Sequence, residues 1–203
     1  MSKSGKSNGV RIISGDWRGR RLDVATVPGL RPSGDRSRET LFNWLQPWVF
    51  EADCADLFAG TGALGFEAAS RGAASVLMIE KHPLALTVLR QSIEQLQASQ
   101  VMLKAGGAMS LIEDFKPDSF NLVFVDPPFD SNLGGLVFER LVKTGCVRPG
   151  GFVYLESPAL IDVPLPEGWS VWRDQQMGEV RMRLFRRQLV ALPEEPGDDQ
   201  TGE

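Results

Sequence analysis

The stretch Asp53-Cys54-Ala55-Asp56-Leu57-Phe58-Ala59-Gly60-Thr61-Gly62-Ala63-Leu64-Gly65-Phe66 decides the fold. Its first half, together with the preceding Ala52, is a short and largely apolar run, Ala52 to Phe58, that predicts a buried strand. Gly60-Thr61-Gly62-Ala63-Leu64-Gly65 then matches G-x-G-x-x-G, and the following residues to Ser70 suit a helix. Glycines at such a turn let backbone approach a ligand closely, and the helix N-terminus presents N–H groups without intrahelical partners. Several kinds of nucleotide-binding protein use this pattern, so its neighbours must choose among them.

Working outward, strand and helix patterns alternate. Ser75–Ile79, Val101–Leu103, Phe120–Val125 and Gly151–Glu156 read as strands. Pro83 opens a helix striped by Leu86, Leu89, Ile93 and Leu96, and another helix covers about Gly135 to Lys143. Trp169–Arg173 and Val180–Phe185 predict a closing hairpin around Met177-Gly178. Alternation of this kind implies an α/β fold with a mostly parallel sheet covered on both faces. Upstream, Val10 to Val27 predicts a β-hairpin around Gly15-Asp16-Trp17-Arg18-Gly19, and Asp35 to Leu45 a helix with Leu41, Trp44 and Leu45 on one face. The expected organisation is a disordered segment 1–9, a hairpin and helix extension 10–50, the main domain 51–188, and a disordered acidic tail 189–203.

Acidic residues fall at the ends of these strands. Asp56 precedes the glycine loop, and Glu80 follows the second strand of the alternating unit. A carboxylate at Glu80 can accept hydrogen bonds from two adjacent ribose hydroxyls at the carboxyl edge of a parallel sheet, where such sheets bind ligands. The plainer readings are that Glu80 pairs with Lys81 and that Asp56 caps the loop. Asp56-Leu57-Phe58-Ala59-Gly60-Thr61-Gly62 resembles the first motif of Rossmann-like class I methyltransferases. That resemblance implies a seven-stranded, mostly parallel sheet with a closing antiparallel hairpin. It also implies S-adenosylmethionine as cofactor. Ala59, Gly60, Thr61 and Gly62 would then hold the cofactor, with Asp56 near its methionine part, Glu80 on the ribose, and Gly107-Ala108 beside the adenine.

The fourth strand ends in Asp126-Pro127-Pro128-Phe129. Taken alone, this is a rigid turn. After a glycine loop and a ribose acid it solves a chemical problem. An exocyclic base amine is a poor nucleophile because its lone pair is delocalised into the ring. Two acceptors, the Asp126 carboxylate and the Pro127 carbonyl, can engage both N–H groups and draw the nitrogen toward tetrahedral geometry, while Phe129 offers a flat apolar face. The tetrapeptide resembles the Asp/Asn-Pro-Pro-aromatic signature of enzymes that methylate adenine N6, guanine N2 or glutamine amides.

The N-terminal third chooses among these. Gly15 to Leu22 and Gly29 to Leu45 closely resemble the RsmD family, which methylates N2 of a guanine in bacterial 16S ribosomal RNA; the likeness runs from about Val10 to Arg187. It implies a ribosomal RNA partner, free or in a small-subunit assembly particle, in the cytoplasm. Trp17 can stack on a base, and Arg18, Arg20, Arg21, Arg31 and Arg36 can bind phosphates. Arg38 would serve either the RNA or the cofactor. Adenine-N6 methylation of DNA or RNA is the alternative, since the tetrapeptide suits either base.

Charge agrees with a polyanion site at one end. The chain of 203 residues has net charge −4, yet residues 1–40 hold nine Lys/Arg against four acids. A solubilising arm is the plainer reading of that asymmetry. Hydrophobic content of 42% is ordinary, and no apolar run approaches the roughly 20 residues that cross a bilayer. Cys54 and Cys146 form no metal-ligand spacing, so two reduced buried thiols and no metal are expected. A nicotinamide-dependent oxidoreductase is disfavoured because His82, the lone histidine, reads as surface loop and no other hydride-transfer acid or base stands out. Nothing in the sequence calls for a protein partner or a membrane.

Overall fold

The computed structural model describes residues 9–25, 34–128 and 133–189. Phe129, Arg31 and most of both terminal segments lie outside the described residues. Two short strands, β1 (Val10–Arg11) and β2 (Arg21–Leu22), pair antiparallel and precede helix α1 (Asp35–Leu45). The hairpin is thus narrower than the sequence suggests, because Gly15 and Gly19 both take positive φ and the chain between them winds into turns.

Then follow β3 (Asp53–Asp56), α2 (Ala63–Ser70), β4 (Ser75–Glu80), α3 (Pro83–Leu96), β5 (Val101–Ala105), α4 (Ala108–Leu111), β6 (Phe120–Val125), α5 (Leu133–Thr144), β7 (Val147–Pro158), β8 (Trp169–Met177) and β9 (Val180–Arg187). A 3₁₀ turn at Ile112–Asp114 extends α4; neither had a clear signal, being too short for a periodic stripe. These seven later strands form one sheet in the order β5-β4-β3-β6-β7-β9-β8. β3 pairs parallel with β4 and β6, and the last two strands run antiparallel.

Alternation along each strand sorts the core into two layers. Cys54, Leu122, Phe124, Phe152 and Tyr154 join the layer under α1, α2 and α3, with Leu41, Phe42, Phe66 and Leu89. Ala55, Val123, Val125, Val153 and Leu155 join the opposite layer under α5, with Val137, Phe138 and Leu141. Burial on both faces explains why these strands read as continuous apolar runs. α3 begins as its sequence predicts: Pro83 sits at its first turn and His82 caps it, Nδ1 accepting from Leu84 N at 3.3 Å.

β9 lies between β7 and β8 and is therefore not an edge strand. An exposed strand edge does not explain its arginines. Arg183 is buried, donating to Ser157 Oγ at 2.9 Å and Ile161 O at 3.2 Å. Arg186 lies over the rings of Trp48, Phe152 and Trp172. Arg187 donates to Gly145 O, Val147 O and Asp118 Oδ1. These cations hold the sheet together rather than extend a basic surface. Among the described residues, no helix is long and apolar enough to cross a membrane.

Candidate active site

Strand alternation that puts Cys54 and Phe124 under α2 also puts Asp56, Asp126 and Glu156 toward that same face at the carboxyl edge of the sheet. Glu80, at the end of β4, follows Met78 by two residues and joins them. Four acids from four strands therefore converge on one edge, beside the glycine loop.

The loop itself is built for close approach. Gly60 and Gly62 have φ of 52° and 77°, a left-handed conformation. A Cβ at Gly62 would come within 2.5 Å of the Phe66 ring, and one at Gly65 within 2.4 Å of Met78 Cε, so these glycines also let α2 settle on the sheet. No side chain caps the N-terminus of α2. Gly65 N–H instead donates to Asp56 Oδ2 at 3.0 Å.

Asp56 is 1% exposed, and among the described residues its Oδ1 is buried with no hydrogen-bond partner. Burial first, and then the negative charge of Asp126, push its carboxyl up to about 7, against the pull of the Gly65 and Phe58 N–H groups. A buried, orphaned carboxylate oxygen is costly unless a ligand satisfies it. Such an oxygen fits the ammonium of an amino-acid-bearing ligand.

Glu80 is the second anchor. Its carboxylate accepts three backbone N–H bonds, from Gly60 at 2.8 Å, Lys81 at 2.8 Å and His82 at 2.7 Å. Those bonds fasten it to the loop, while Lys81 contributes backbone and not a side-chain pair. The Glu80 carbonyl in turn accepts from Gly106 N at 2.9 Å, which brings the next loop alongside. Gly107 there is exposed, and a Cβ on it would meet nothing within 4 Å, whereas Ala108 is buried. A flat ring has room beside Gly107. Together the orphaned Asp56 oxygen, the tethered Glu80 and this open shelf suit a nucleoside that carries an amino acid.

Asp126 stands past the end of β6, half-buried, with Pro127 buried behind it. Its charge raises the pKa values of Asp56, Glu156 and Tyr154, so it lies within electrostatic reach of all three. Tyr154 Oη donates to Glu156 Oε2 at 2.8 Å, and both residues are buried. Burial, then Asp126, push Glu156 up to about 7.

This geometry has known counterparts. A family model described as Conserved hypothetical protein 95 matches residues 10–186. Ribosomal RNA small subunit methyltransferase D of Escherichia coli strain K12 is 42% identical over 90% of this chain and 92% of its own. The chain belongs to the RsmD family. The protein of the same description from Haemophilus influenzae is 39% identical over 87% of this chain and 93% of its own. A solved structure from Escherichia coli superimposes with TM-score 0.81 at 41% identity, covering 90% of this chain and all of that one. The class I methyltransferase fold expected from the sequence is the fold observed.

In this RsmD-family chain the N-terminal extension is clasped by α2, the helix that starts at the glycine loop. Glu67, fully buried, accepts from Ile13 N at 2.7 Å and Ser14 N at 3.0 Å, and from Arg71 Nε at 2.7 Å. Ser70 Oγ donates to Ser14 O at 2.6 Å and accepts from Trp17 N at 2.9 Å. Gly15 has no room for a side chain, since a Cβ would sit 1.7 Å from Ser70 O.

Not every residue singled out from sequence lies at the carboxyl edge. Arg38 is 1% exposed; its Nη2 donates to Arg11 O at 2.9 Å and Asp35 Oδ1 at 2.5 Å, and its Nη1 lies 3.7 Å from Glu67. The structure places it inside the clasp, between α1, β1 and α2. Trp17 is half-buried, with its ring edge-on to Phe66 at 6.5 Å. Arg18, Arg20, Arg21 and Arg36 are exposed, Arg20 donating to Gln95 O at 3.3 Å. Two features escaped sequence reading. Glu67 is a lone acid in a largely apolar helix, and Glu156 closes the apolar run Phe152–Leu155 much as Glu80 and Asp126 close theirs. Both were visible signals.

Proposed function

We propose that this chain transfers a methyl group from S-adenosylmethionine to the exocyclic N2 amine of a guanine in bacterial 16S ribosomal RNA. The single observation that supports it most is the convergence of the glycine loop, Asp56 and Glu80 with Asp126-Pro127 on one sheet edge. The relatives' names supply the ribosomal RNA and the small subunit. The cytoplasm, where ribosomal RNA is made, is the corresponding location.

When bound, S-adenosylmethionine supplies a methyl group already activated on a sulfonium sulfur. This chain's residues orient and exclude. Asp56 Oδ1 receives the amino-acid ammonium, Glu80 takes the ribose hydroxyls with its remaining acceptor capacity, and Gly107-Ala108 flank the adenine. Asp126 and the Pro127 carbonyl accept the two N–H bonds of the target amine, and Phe129 supports the flipped base. The amine held this way would accept that methyl group, and the proton it sheds would pass to the Asp126 carboxylate and solvent. The extension 10–50 meets the RNA through Arg18, Arg20, Arg21, Arg31 and Arg36, and domain 51–188 performs the transfer. An assembling small-subunit particle is the proposed substrate form, in keeping with the small-subunit names of the relatives.

The experiment is to map modified bases in ribosomal RNA with and without the protein, and to digest the product to nucleosides. N2-methylguanosine in the protein-containing sample is expected, and Asp126→Ala abolishes it while calorimetry still shows cofactor binding. N6-methyladenosine would substitute the adenine reading; full activity of Asp126→Ala would discard the amine-gripping mechanism.

A further inference from the structure

The proposed function leaves one buried pair at the sheet edge without a task. Tyr154 and Glu156 sit two residues apart on β7, so they share a face of the sheet. That face is the one carrying Phe124 and Asp56. β6 and β7 run parallel with Val125 opposite Leu155. The next residues, Asp126 just past the end of β6 and Glu156 still paired with Met182 of β9, therefore stand side by side, about 5 Å apart as neighbouring strands are. Charge coupling between them agrees.

A buried carboxylate beside another carboxylate is unfavourable, and packing alone gives no reason to keep it. Tyr154 holds it in one place, its hydroxyl occupying only Oε2 and leaving the acceptor capacity of Oε1. The chemistry of the target supplies a reason. On guanine the N2 amine adjoins N1–H, so its base-pairing edge offers a row of donors. A base gripped by its amine at Asp126 presents the neighbouring ring position to the neighbouring strand, where Glu156 stands. Adenine, beside its own amine, offers at N1 an acceptor that a carboxylate repels.

We propose that Glu156 reads the base: its carboxylate, positioned by Tyr154, accepts the N1–H of the guanine whose N2 amine Asp126 engages. This rests on the RNA-methylation reading and deepens it. Asp126 and Pro127 grip any exocyclic amine; Glu156 admits only a ring with a donor next to that amine. Tyr154 acts through Glu156 and is a positioning residue. Where Glu156 is ionised, above about pH 7, selection against a base lacking the donor comes from leaving a buried charge unpaired.

The test uses small-subunit RNA ligated from fragments, carrying at the mapped nucleotide either guanine or 2-aminopurine. The latter keeps the N2 amine and has an acceptor at N1. The wild-type chain is expected to favour guanine in kcat/KM by about 10- to 100-fold, the worth of one hydrogen bond to a charged group. Glu156→Gln, whose amide can donate to N1, brings the two substrates to within a few-fold, and Tyr154→Phe narrows the ratio part-way with cofactor affinity unchanged. Equal methylation of both RNAs by the wild type overturns the base-reading role while leaving RNA methylation intact. A guanine preference that survives Glu156→Gln overturns it too. Methylation of neither RNA sinks the functional reading and this role with it.

Discussion

Gly65 N–H donates to Asp56 Oδ2 across 3.0 Å, closing the glycine loop back onto the strand that launches it. The bond fixes one carboxylate oxygen and leaves the other buried, with no hydrogen-bond partner among the described residues. Much of the candidate chemistry depends on that arrangement, and it has a stability cost.

Asp56 has its pKa raised to about 7 by burial and by Asp126. The folded state thus binds a proton that the unfolded chain releases near pH 4, so stability falls as pH rises from about 4 through about 7. Asp56→Asn removes that penalty. Its melting temperature is expected to exceed wild type at pH 8, by about 2–4 °C per kcal/mol recovered, and to match it near pH 4. Cofactor affinity falls in the same variant. Thermal unfolding at both pH values, with calorimetry, checks the pair.

Gly62 and Gly107 separate conformation from contact. At Gly62 a methyl meets Phe66 at 2.5 Å and Leu89 at 2.8 Å, with φ at 77°, so Gly62→Ala should cost about 1–3 kcal/mol and distort the loop. Gly107→Ala meets nothing within 4 Å, so the fold should keep its stability. Any loss of cofactor affinity there reports a ligand lying against the shelf. Denaturant unfolding and cofactor titration distinguish the two effects.

Glu67 holds Ile13, Ser14, Arg38 and Arg71 at once. Glu67→Ala takes the acceptor from Ile13 N, Ser14 N and Arg71 Nε and leaves the buried Arg38 guanidinium only Asp35 and Arg11 O, and should cost about 3–5 kcal/mol. Residues 10–25 should then become sensitive to limited proteolysis before the sheet does. Uniform loss of protection across the chain would speak against a local clasp.

Arg18 and Arg21 are exposed on the extension. Replacing each by alanine should lower RNA affinity without touching the cofactor, and reduce the slope of log affinity against log salt by about 1 for each phosphate no longer neutralised. Titrations at several salt concentrations measure it. An unchanged slope would leave these cations as a solubilising face.

Much of the fold was legible in the order of residues alone, because its signals are local. The helices Asp35–Leu45, Ala63–Ser70 and Pro83–Leu96 start and stop where glycine, proline and apolar spacing say they should. Strand existence was equally plain, though β7 and β8 run longer than their apolar cores, since paired neighbours extend a strand beyond what its own residues favour.

The sequence by itself determined the alternation of strands and helices, the glycine loop, and the acids at strand ends, because each depends on residues a few positions apart. Only the tertiary structure decided which charges are surface and which are core. Insertion of β9 between β7 and β8 turned Arg183 inward. Folding of the extension onto α2 buried Arg38 against Glu67, and parallel pairing of β6 with β7 set Glu156 beside Asp126. Those outcomes depend on which distant strands become neighbours, and a side chain's charge carries no record of that.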